Sequence, residues 1–340
     1  MSATATNKPT LDTICAQIKS GQIKNILVLV GAGLSTSSGL ADFHSPDTGL
    51  YAKLSALQLP YPEAPFHISY FKHTPEPFYC IARARHPRNA KPAVGHAFLA
   101  LLERKGVLGY VFSQNVDGLE RDAGVSEEKM LNVHGNWKNQ HCAKCKASYP
   151  KKLMKKAILS GTVPVCLQEG CGGNVKPDIV MFGEPLPDEF AIKEEEMVVQ
   201  ADLLLVIGTS LKVAPSSEIP RKIPANVPRV LINREIVGEL GLHDNDILVL
   251  GDCDKGLREF ARKLGWGEDL ETVWKDAVER KEIELKKDNW DDGNAPTLEE
   301  CVAIAAEKMN MLMGVSEGHR RMLEGHLGDK LAGIMAKPGR

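Results

Sequence analysis

The chain has 340 residues, of which 43% are hydrophobic, and it carries a formal net charge of −2. This composition is that of an ordinary globular protein of about two domains, and the balanced charge argues against direct binding to nucleic acid. A run of about 18 apolar residues, which a membrane span requires, does not occur in the sequence. The polar residues 1–10 resemble neither a signal peptide nor an import sequence. We therefore expect a cytoplasmic protein, with entry into the nucleus also open.

Short apolar segments alternate with segments of helical apolar spacing between residues 11 and 264. Helices are predicted at residues 11–19, 95–104, 189–200 and 255–264. Strands are predicted at residues 26–30, 107–112, 130–133, 203–207, 229–232 and 247–250. Continuous apolar strands that alternate with helices are typical of a parallel, doubly wound sheet covered on both faces, so the predicted fold class is α/β.

Small or polar residues follow five of the predicted strands. These residues are Gly31-Ala32-Gly33, Ser113-Gln114-Asn115, Gly208-Thr209-Ser210, Asn233 and Gly251-Asp252. Ligands of open α/β sheets bind at the carboxyl ends of the strands, so five polar ends predict a site for an extended ligand with several hydroxyls, such as a dinucleotide. The glycine turn at residues 31–33 is typical of a phosphate site before a helix, although Thr36 stands where the dinucleotide fingerprint has a third glycine.

Four of the eight cysteines lie in one short window with the spacing C-x2-C-x20-C-x4-C. They are Cys142, Cys145, Cys166 and Cys171. Two close pairs of thiolates, separated by an insert that we expect to be β-like, are typical of tetrahedral zinc coordination. Because four thiolates leave no position for water, the predicted zinc ion is structural, and the neighbouring His141 is interpreted as a bystander.

Six sequence blocks occur here in the order in which the sirtuins have them, and together they resemble that family of NAD-dependent protein-lysine deacylases. The blocks are GAGLSTSSGLADFHSPDTGLY (residues 31–51), SQNVDGLER (113–121), HG (134–135), the four cysteines, FGE (182–184) and GTSLKV (208–213). The resemblance covers about residues 21–265. Further segments resemble the class I branch, the sirtuin-two and sirtuin-three type, which prefers acetyl and other short acyl groups; they are residues 59–64, 68–71, 75–78 and 175–180.

The resemblance implies a catalytic domain at residues 11–266, between a flexible N-terminus (1–10) and a C-terminal helical extension (267–340). The large part of that domain would be Rossmann-like and would comprise about residues 21–51, 94–137 and 175–265. The smaller part would combine a helical insert and a zinc-ribbon module, at about residues 52–93 and 138–174. NAD and the acyl-lysine would enter the cleft between the two parts.

The resemblance also implies which residues bind NAD. Residues at the glycine turn and in the loop after it would cradle the diphosphate and cover the nicotinamide end: Gly31, Ala32, Gly33, Ser35, Thr36, Asp42, Phe43 and His44. Residues after the second strand would hold the carboxamide and the nicotinamide ribose: Gln114, Asn115, Val116 and Asp117. Residues after the later strands would complete the cofactor site, chiefly around the adenosine half: Gly208, Thr209, Ser210, Asn233, Arg234 and Cys253.

Catalysis and substrate binding are implied in the same way. His134 would be the general base that takes a proton from a ribose hydroxyl, with Asn115 as the second catalytic residue, because a neutral imidazole can accept a proton near neutral pH. The substrate would be an acetylated lysine in a histone or non-histone protein, bound as an added strand. The residues on either side of it would be Phe182, Gly183, Glu184, Lys212 and Val213. The oligomeric state is not predicted.

One departure from the family pattern concerns His44, which stands where sirtuins usually have arginine. Because histidine is mostly neutral at pH 7, we expect weaker and more pH-dependent use of NAD. Two alternative functions remain open: an NAD-dependent mono-ADP-ribosyltransferase that uses the same site, and a catalytically weakened scaffold that binds NAD and zinc. A hydride-transferring dehydrogenase is disfavoured, since no separate acid–base constellation is found for its substrate.

Overall fold

A computed structural model describes residues 8–40, 42, 49–50, 53–54, 57, 59–288 and 297–313. The strands are β1 Ile26–Val30, β2 Leu108–Ser113, β3 Met130–Asn132, β4 Gly135–Cys142, β5 Val175–Ile179, β6 Leu203–Ile207, β7 Arg229–Asn233 and β8 Asp246–Leu250. The six strands predicted from the sequence correspond to β1, β2, β3, β6, β7 and β8. Each agrees with the observed bounds to within one residue, because an apolar run bounded by turn residues is a strong local signal.

Helices surround these strands. They are α1 Leu11–Lys19, α2 Ile68–His73, α3 Glu76–Arg85, α4 Val94–Arg104, α5 Leu119–Ala123, α6 Lys151–Ser160, α7 Glu189–Gln200, α8 Ile219–Lys222, α9 Cys253–Leu264, α10 Gly267–Asp288 and α11 Leu298–Met313. Side chains cap the N-termini of α1, α9 and α11: Thr10 accepts from the backbone N–H of Thr13, Asp252 from that of Lys255 and Thr297 from that of Glu300. Among the helices described, none is long and apolar enough to cross a membrane.

The six strands form one parallel sheet in the order β3-β2-β1-β6-β7-β8. Strands β2 and β3 are added on one side of β1, and strands β6, β7 and β8 are added on the other side. The direction in which successive strands are added therefore reverses between β1 and β6. Val30, the last residue of β1, is in register with Ser113 of β2 and Ile207 of β6. The carboxyl ends of the three central strands therefore lie side by side at the topological switch point, where α/β sheets bind ligands.

Both faces of the sheet are covered, which confirms the predicted doubly wound α/β fold. Alternate residues of β1 enter separate cores: Ile26, Val28 and Val30 pack with α1, α4, α9 and α10, whereas Leu27 and Leu29 pack with α7 and α8. All five are at most 2% exposed, and burial of each such side chain contributes about 1.5–3 kcal/mol. Strands buried on both faces read as continuous apolar runs, as in this sequence.

Helix α10 belongs to the first of these cores although it lies in the predicted C-terminal extension. Its residues Leu270, Val273 and Ala277 are buried against α4 and α9. Its Trp274 ring N–H donates a hydrogen bond to the carbonyl of Pro92, at 2.9 Å. The fold of the large part therefore includes a helix beyond residue 266.

The smaller part packs around the antiparallel pair β4 and β5 and so takes in residues 135–137 and 175–179, which the resemblance had assigned to the large part. Aromatic residues of α2 and α3 (Phe71, Phe78 and Tyr79) form its core together with Val175 of β5. The expectation of a β-like insert between the two cysteine pairs is wrong, because the insert contains the ten-residue helix α6. Its apolar residues Met154, Ala157 and Ile158 recur at the helical spacing of three and four and are buried, which identifies the helix in retrospect.

Helix α11 covers the outer side of α3. Leu298, Cys301 and Val302 pack against Cys80 and Ile81 of α3, and Leu50, Leu54 and Leu57 complete this second core of the smaller part. Cys80 and Cys301 thus lie in the same apolar core.

Candidate active site and zinc centre

A cavity of about 940 Å³ opens at the carboxyl ends of β1, β2, β6 and β7 and extends to the smaller part. Many of the predicted cofactor, substrate and catalytic residues line it: Ala32, Gly33, Ser35, Thr36, Asp42, Gln114, Asn115, Val116, Asp117, His134, Phe182, Gly183, Glu184, Gly208, Thr209, Ser210, Lys212, Val213, Asn233, Arg234 and Cys253. Gly31 lies behind this lining. Phe43 and His44 lie outside the described residues, so their roles stay predictions. The topology thus brings strand ends far apart in the sequence into one cleft.

The glycine turn after β1 packs directly on the backbone after β6. The N–H of Gly33 donates to the carbonyl of Gly208 at 2.7 Å, and a Cβ added to Gly33 would lie 2.7 Å from the Gly208 Cα. Gly208 itself has a φ of +58°, which favours glycine. The segment that follows is a 3₁₀ helix, Ala32–Ser38. The glycines are therefore needed for the close contact between two loops, and that contact exposes the backbone of Ala32 and Gly33 to the cavity.

Side chains after β2 are held by a network around Ser35. The Asn115 amide donates to the carbonyl of Gly31 at 3.0 Å and to the Ser35 hydroxyl at 3.3 Å. The Ser35 hydroxyl in turn donates to Asp117 Oδ2 at 2.7 Å. The same Asp117 carboxylate accepts the backbone N–H of Leu119 at 3.0 Å. Asn115 and Asp117 are therefore fixed relative to the glycine turn before any ligand binds.

Two buried titratable residues behind this network, His96 and Glu120, were not predicted from the sequence. His96 Nδ1 accepts the N–H of Ala93 at 3.0 Å, so its Nε2 carries the proton and donates to Ser35 Oγ at 3.2 Å. Complete burial lowers the pKa of His96 to about 4. Glu120 accepts a hydrogen bond from Ser113 Oγ at 2.5 Å. The sequence pointed to His96 only through its place on the apolar face of the predicted helix 95–104. It pointed to Glu120 only through its place in the SQNVDGLER block.

His134 presents an unprotonated nitrogen to the cavity. Its Nδ1 lies 2.8 Å from the carbonyl oxygen of Gln114, which can only accept, so Nδ1 carries the ring proton and Nε2 carries the lone pair. Nε2 is buried and has no hydrogen-bond partner among the residues that the structure describes. Burial lowers the pKa of His134, and the Gln114 carbonyl only partly offsets this effect. The side chain is thus a neutral imidazole with its basic nitrogen ready to accept a proton.

Gln114 joins the ends of β2 and β6 across the floor of the cavity. Its Oε1 accepts from the Thr209 hydroxyl at 2.6 Å, and its amide donates to Ser216 Oγ at 2.8 Å. Further along the sheet, the Asn233 amide donates to the carbonyl of Glu235 at 2.8 Å. These bonds hold polar side chains in fixed orientations at one end of the cavity.

The other end of the cavity is bounded by residues 182–184 and 212–213. The backbone of Phe182 is already paired on one side, since its N–H donates to the carbonyl of Phe66 and its carbonyl accepts from Ile68. Glu184 accepts the N–H of Met181 and forms an ion pair with Lys176 at 3.0 Å. The segment at 182–184 is therefore anchored to the smaller part, while Phe182 remains 41% exposed.

The four cysteines lie together at the edge of the smaller part, outside the cavity. Their sulfur atoms are within 4.8 Å of one another, with 3.7 Å between Cys142 and Cys171 and 3.5 Å between Cys145 and Cys166. Zinc–sulfur bonds of about 2.3 Å in a tetrahedron place sulfur atoms about 3.8 Å apart, so the cluster fits a structural zinc ion. His141 points away and bonds to Asp178 at 2.7 Å, in agreement with its interpretation as a bystander.

The sequence pattern of the Sir2 family matches residues 31–215, which is more than half of the chain. The chain belongs to the Sir2 family. The NAD-dependent protein deacetylase hst2-2 of Emericella nidulans is 68% identical over 335 residues, which cover 98% of this chain and 95% of that protein. NAD-dependent protein deacetylase sirtuin-2 of Danio rerio is 41% identical, covering 88% of this chain and 83% of that protein, and sirtuin-3 of Mus musculus is 39% identical, covering 77% and 78%.

The cavity of this Sir2 protein suits NAD on structural grounds. Ala32 offers its backbone N–H to a diphosphate, Gly33 allows the close approach of that turn, and polar side chains follow at the ends of β2, β6 and β7. The buried, unpartnered Nε2 of His134 provides a basic atom that a sugar hydroxyl can engage. The region matched by the family pattern ends at residue 215, so β7, β8 and helices α8 to α11 lie beyond it.

Proposed function

We propose that this Sir2-family protein is an NAD-dependent protein-lysine deacetylase that releases nicotinamide, free lysine and O-acetyl-ADP-ribose. The observation that carries the proposal is His134, which lines the cavity together with Asn115 and Asp117, carries its proton on Nδ1 and has a buried Nε2 without a hydrogen-bond partner among the described residues. The chemistry that NAD supplies when bound is an activated ribose carbon, from which nicotinamide is a good leaving group. The chain has to position that sugar, keep water from it until the acyl-lysine has reacted, and move one proton. One water molecule is then consumed in the release of lysine and O-acetyl-ADP-ribose.

Positioning falls to the polar residues at the strand ends. The turn at 31–33 would hold the diphosphate through the N–H of Ala32, because the N–H groups of Gly31 and Gly33 already donate to the carbonyls of Ile207 and Gly208. Asp117 with Val116 would hold the carboxamide of nicotinamide. Asn115 and Gln114 contact the adjoining ribose. The adenosine half lies toward Thr209, Ser210 and Asn233, with Arg234 and Cys253 beyond them. Since the Ser35 network fixes Asn115 and Asp117 beforehand, little free energy is lost to reorganisation when the cofactor binds.

His134 moves the proton. The Gln114 carbonyl selects the tautomer with its lone pair on Nε2, and the lowered pKa of His134 keeps this form populated at neutral pH. Nε2 therefore accepts a proton from a ribose hydroxyl, which makes that oxygen nucleophilic toward the acyl carbon. A positioned general base of this kind contributes about 10²- to 10⁴-fold in rate.

The substrate is an acetylated lysine in a histone or non-histone protein. Its backbone runs between residues 182–184 and residues 212–213 and adds a strand to the cleft, so main-chain hydrogen bonds supply affinity with little sequence selectivity. The exposed ring of Phe182 packs on this peptide. The acyl-lysine side chain then enters the cavity toward His134.

Mass spectrometry of an acetyl-lysine peptide, incubated with and without NAD, tests this proposal. We expect a loss of 42 Da from the peptide (the acetyl group replaced by hydrogen), together with nicotinamide and O-acetyl-ADP-ribose, only when NAD is present. A His134→Ala variant serves as the control for spontaneous loss. Transfer of label from radiolabelled NAD to protein, with the acetyl group intact, would instead show an ADP-ribosyltransferase, and absence of nicotinamide release would leave a binding scaffold.

A further inference from the structure

Two carboxyl groups lie close together behind the nicotinamide end of the cavity. Asp117, in the loop after β2, and Glu120, on α5, each bring one oxygen within 4.8 Å of the other and of a ring nitrogen of His96. Glu120 is completely buried. Asp117 is half-buried at the cavity, whereas Glu120 has no access to water. Two like charges at this separation repel each other, and the burial of Glu120 adds to the cost of charging both, so one of the two carboxyls retains its proton at neutral pH.

Hydrogen bonds decide which of them is ionised. Burial raises the pKa of Asp117 as well, but the hydrogen bonds that it accepts from the N–H of Leu119 at 3.0 Å and from the Ser35 hydroxyl at 2.7 Å offset part of this rise by stabilising its charged form. Glu120 accepts from Ser113 on Oε1, whereas its Oε2 is buried with no hydrogen-bond partner in the described part of the chain. Burial and the charge of Asp117 raise the pKa of Glu120 to about 8. The negative charge therefore resides on Asp117 and the proton on Glu120.

Within the part of the chain that the structure describes, no cation faces Glu120 closely enough to reverse this order. His96, on α4, is neutral because burial lowers its pKa to about 4. Arg121, on the same helix as Glu120, favours the ionised form of Glu120 only weakly and is paired with Glu127 at 3.7 Å. Helix α10, which packs on α5, directs Lys281 to Asp122 and Arg280 to the carbonyl of Ala123.

We propose that Glu120 is a positioning residue that acts as a neutral acid beneath the nicotinamide pocket. In its protonated form it accepts a hydrogen bond from Ser113, whose hydroxyl oxygen in turn accepts the N–H of Asn115 at 3.1 Å. The neutral carboxyl also places no second negative charge beside that of Asp117. Loss of its proton to solvent places a second buried charge beside Asp117 and loosens the loop 114–117. This inference rests on the proposed function, since Asn115 and Asp117 are the groups assigned to the ribose and the carboxamide.

The pH dependence of kcat/KM for NAD between pH 6.5 and 9.5 tests the proposal. We expect the wild-type value to fall about tenfold between pH 7 and 9, mainly through a rise in KM, because the protonated fraction of an acid with a pKa near 8 falls by that factor. Glu120→Gln, which has the same shape and no charge at any pH, should remove the fall. Glu128→Gln changes an exposed glutamate in the same stretch and should leave the fall intact.

A second measurement follows the proton itself and does not depend on catalysis. In protein labelled with ¹³C at the glutamate carboxyls, the resonance that Glu120→Gln removes should titrate between pH 7 and 9. A titration midpoint near pH 4.5 would overturn the proposal. So would an unchanged alkaline fall of kcat/KM in Glu120→Gln, or a folded Glu120→Gln protein that is inactive at every pH. If the resonance titrates near 8 but the wild type releases no nicotinamide, the proposed function fails instead, and the positioning role with it.

Discussion

The zinc centre and the NAD cavity are two polar sites of the same chain that are built in opposite ways. The zinc centre takes all four ligands from 30 consecutive residues, 142–171, and its chemistry is contained in the four thiols themselves. The cavity gathers side chains from residue 32 to residue 253, and each depends on a neighbour for its orientation or its protonation state. Local spacing can encode the first kind of site, whereas the second kind exists only after the sheet has formed.

The largest expected effect concerns the zinc centre. Cys145→Ser should abolish stoichiometric zinc, lower the unfolding temperature and eliminate deacetylation, because metal binding contributes about 10 kcal/mol to folding in isolated zinc modules and this module anchors β4 and β5. Metal analysis, thermal unfolding and the peptide assay check the three outcomes. Glu169→Gln, an exposed change in the same module, is the matched control. Retention of activity by a zinc-free variant would show that the two sites are energetically independent.

The next effect concerns the catalytic end of the cavity. His134→Ala should lower kcat for deacetylation by about 10²- to 10⁴-fold while the dissociation constant for NAD changes by less than about threefold, because the imidazole acts on a proton and not on cofactor affinity. Nicotinamide release and calorimetric titration with NAD measure the two quantities. His73→Ala replaces an exposed histidine on α2 and should have no effect on either. A large loss of NAD affinity in His134→Ala would contradict the assignment.

A smaller effect is expected at the contact between the two loops. In Gly33→Ala the new Cβ would lie 2.7 Å from the backbone of Gly208, so the glycine turn must move. We expect a loss of about 1–3 kcal/mol in the free energy of unfolding and at least a tenfold loss of NAD affinity. In Gly267→Ala the added Cβ meets only the Arg262 Cα at 3.9 Å, which makes it the matched control. Unchanged NAD affinity in Gly33→Ala would mean that the turn does not contact the cofactor.

The smallest effect is a shift in pH dependence. The base must be unprotonated, and burial places the pKa of His134 below its ordinary value of 6.5. Activity should therefore be retained down to pH 6.5 and fall only below it, by about tenfold per unit under the pKa. A pH profile of kcat between pH 5 and 7.5 checks this prediction. An acid limb centred above pH 6.5 would indicate that His134 is stabilised as a cation in the working enzyme.

The comparison of these two sites also explains which predictions succeeded. The six strands of the parallel sheet and the cysteine cluster were predicted nearly residue by residue, since each rests on a pattern within about thirty residues. The antiparallel strands β4 and β5 were not predicted. The insert between the cysteine pairs was expected to be β-like and is the helix α6, because the expectation came from the ligand spacing and overlooked the helical pattern of Met154, Ala157 and Ile158. His96 and Glu120 escaped notice because only the folded chain buries them beside Ser35 and Asp117.

The sequence by itself determined the α/β class, the strands of the parallel sheet, the four thiol ligands and, through its six blocks, the resemblance to the sirtuins. Only the tertiary structure decided that α10 completes the core, that Gly33 packs on Gly208, which nitrogen of His134 is basic and that Glu120 faces Asp117. The physical reason is that tautomers and protonation states depend on burial and on partners far away along the chain. Tautomers and protonation states are therefore set only once the strands have come together in the folded protein.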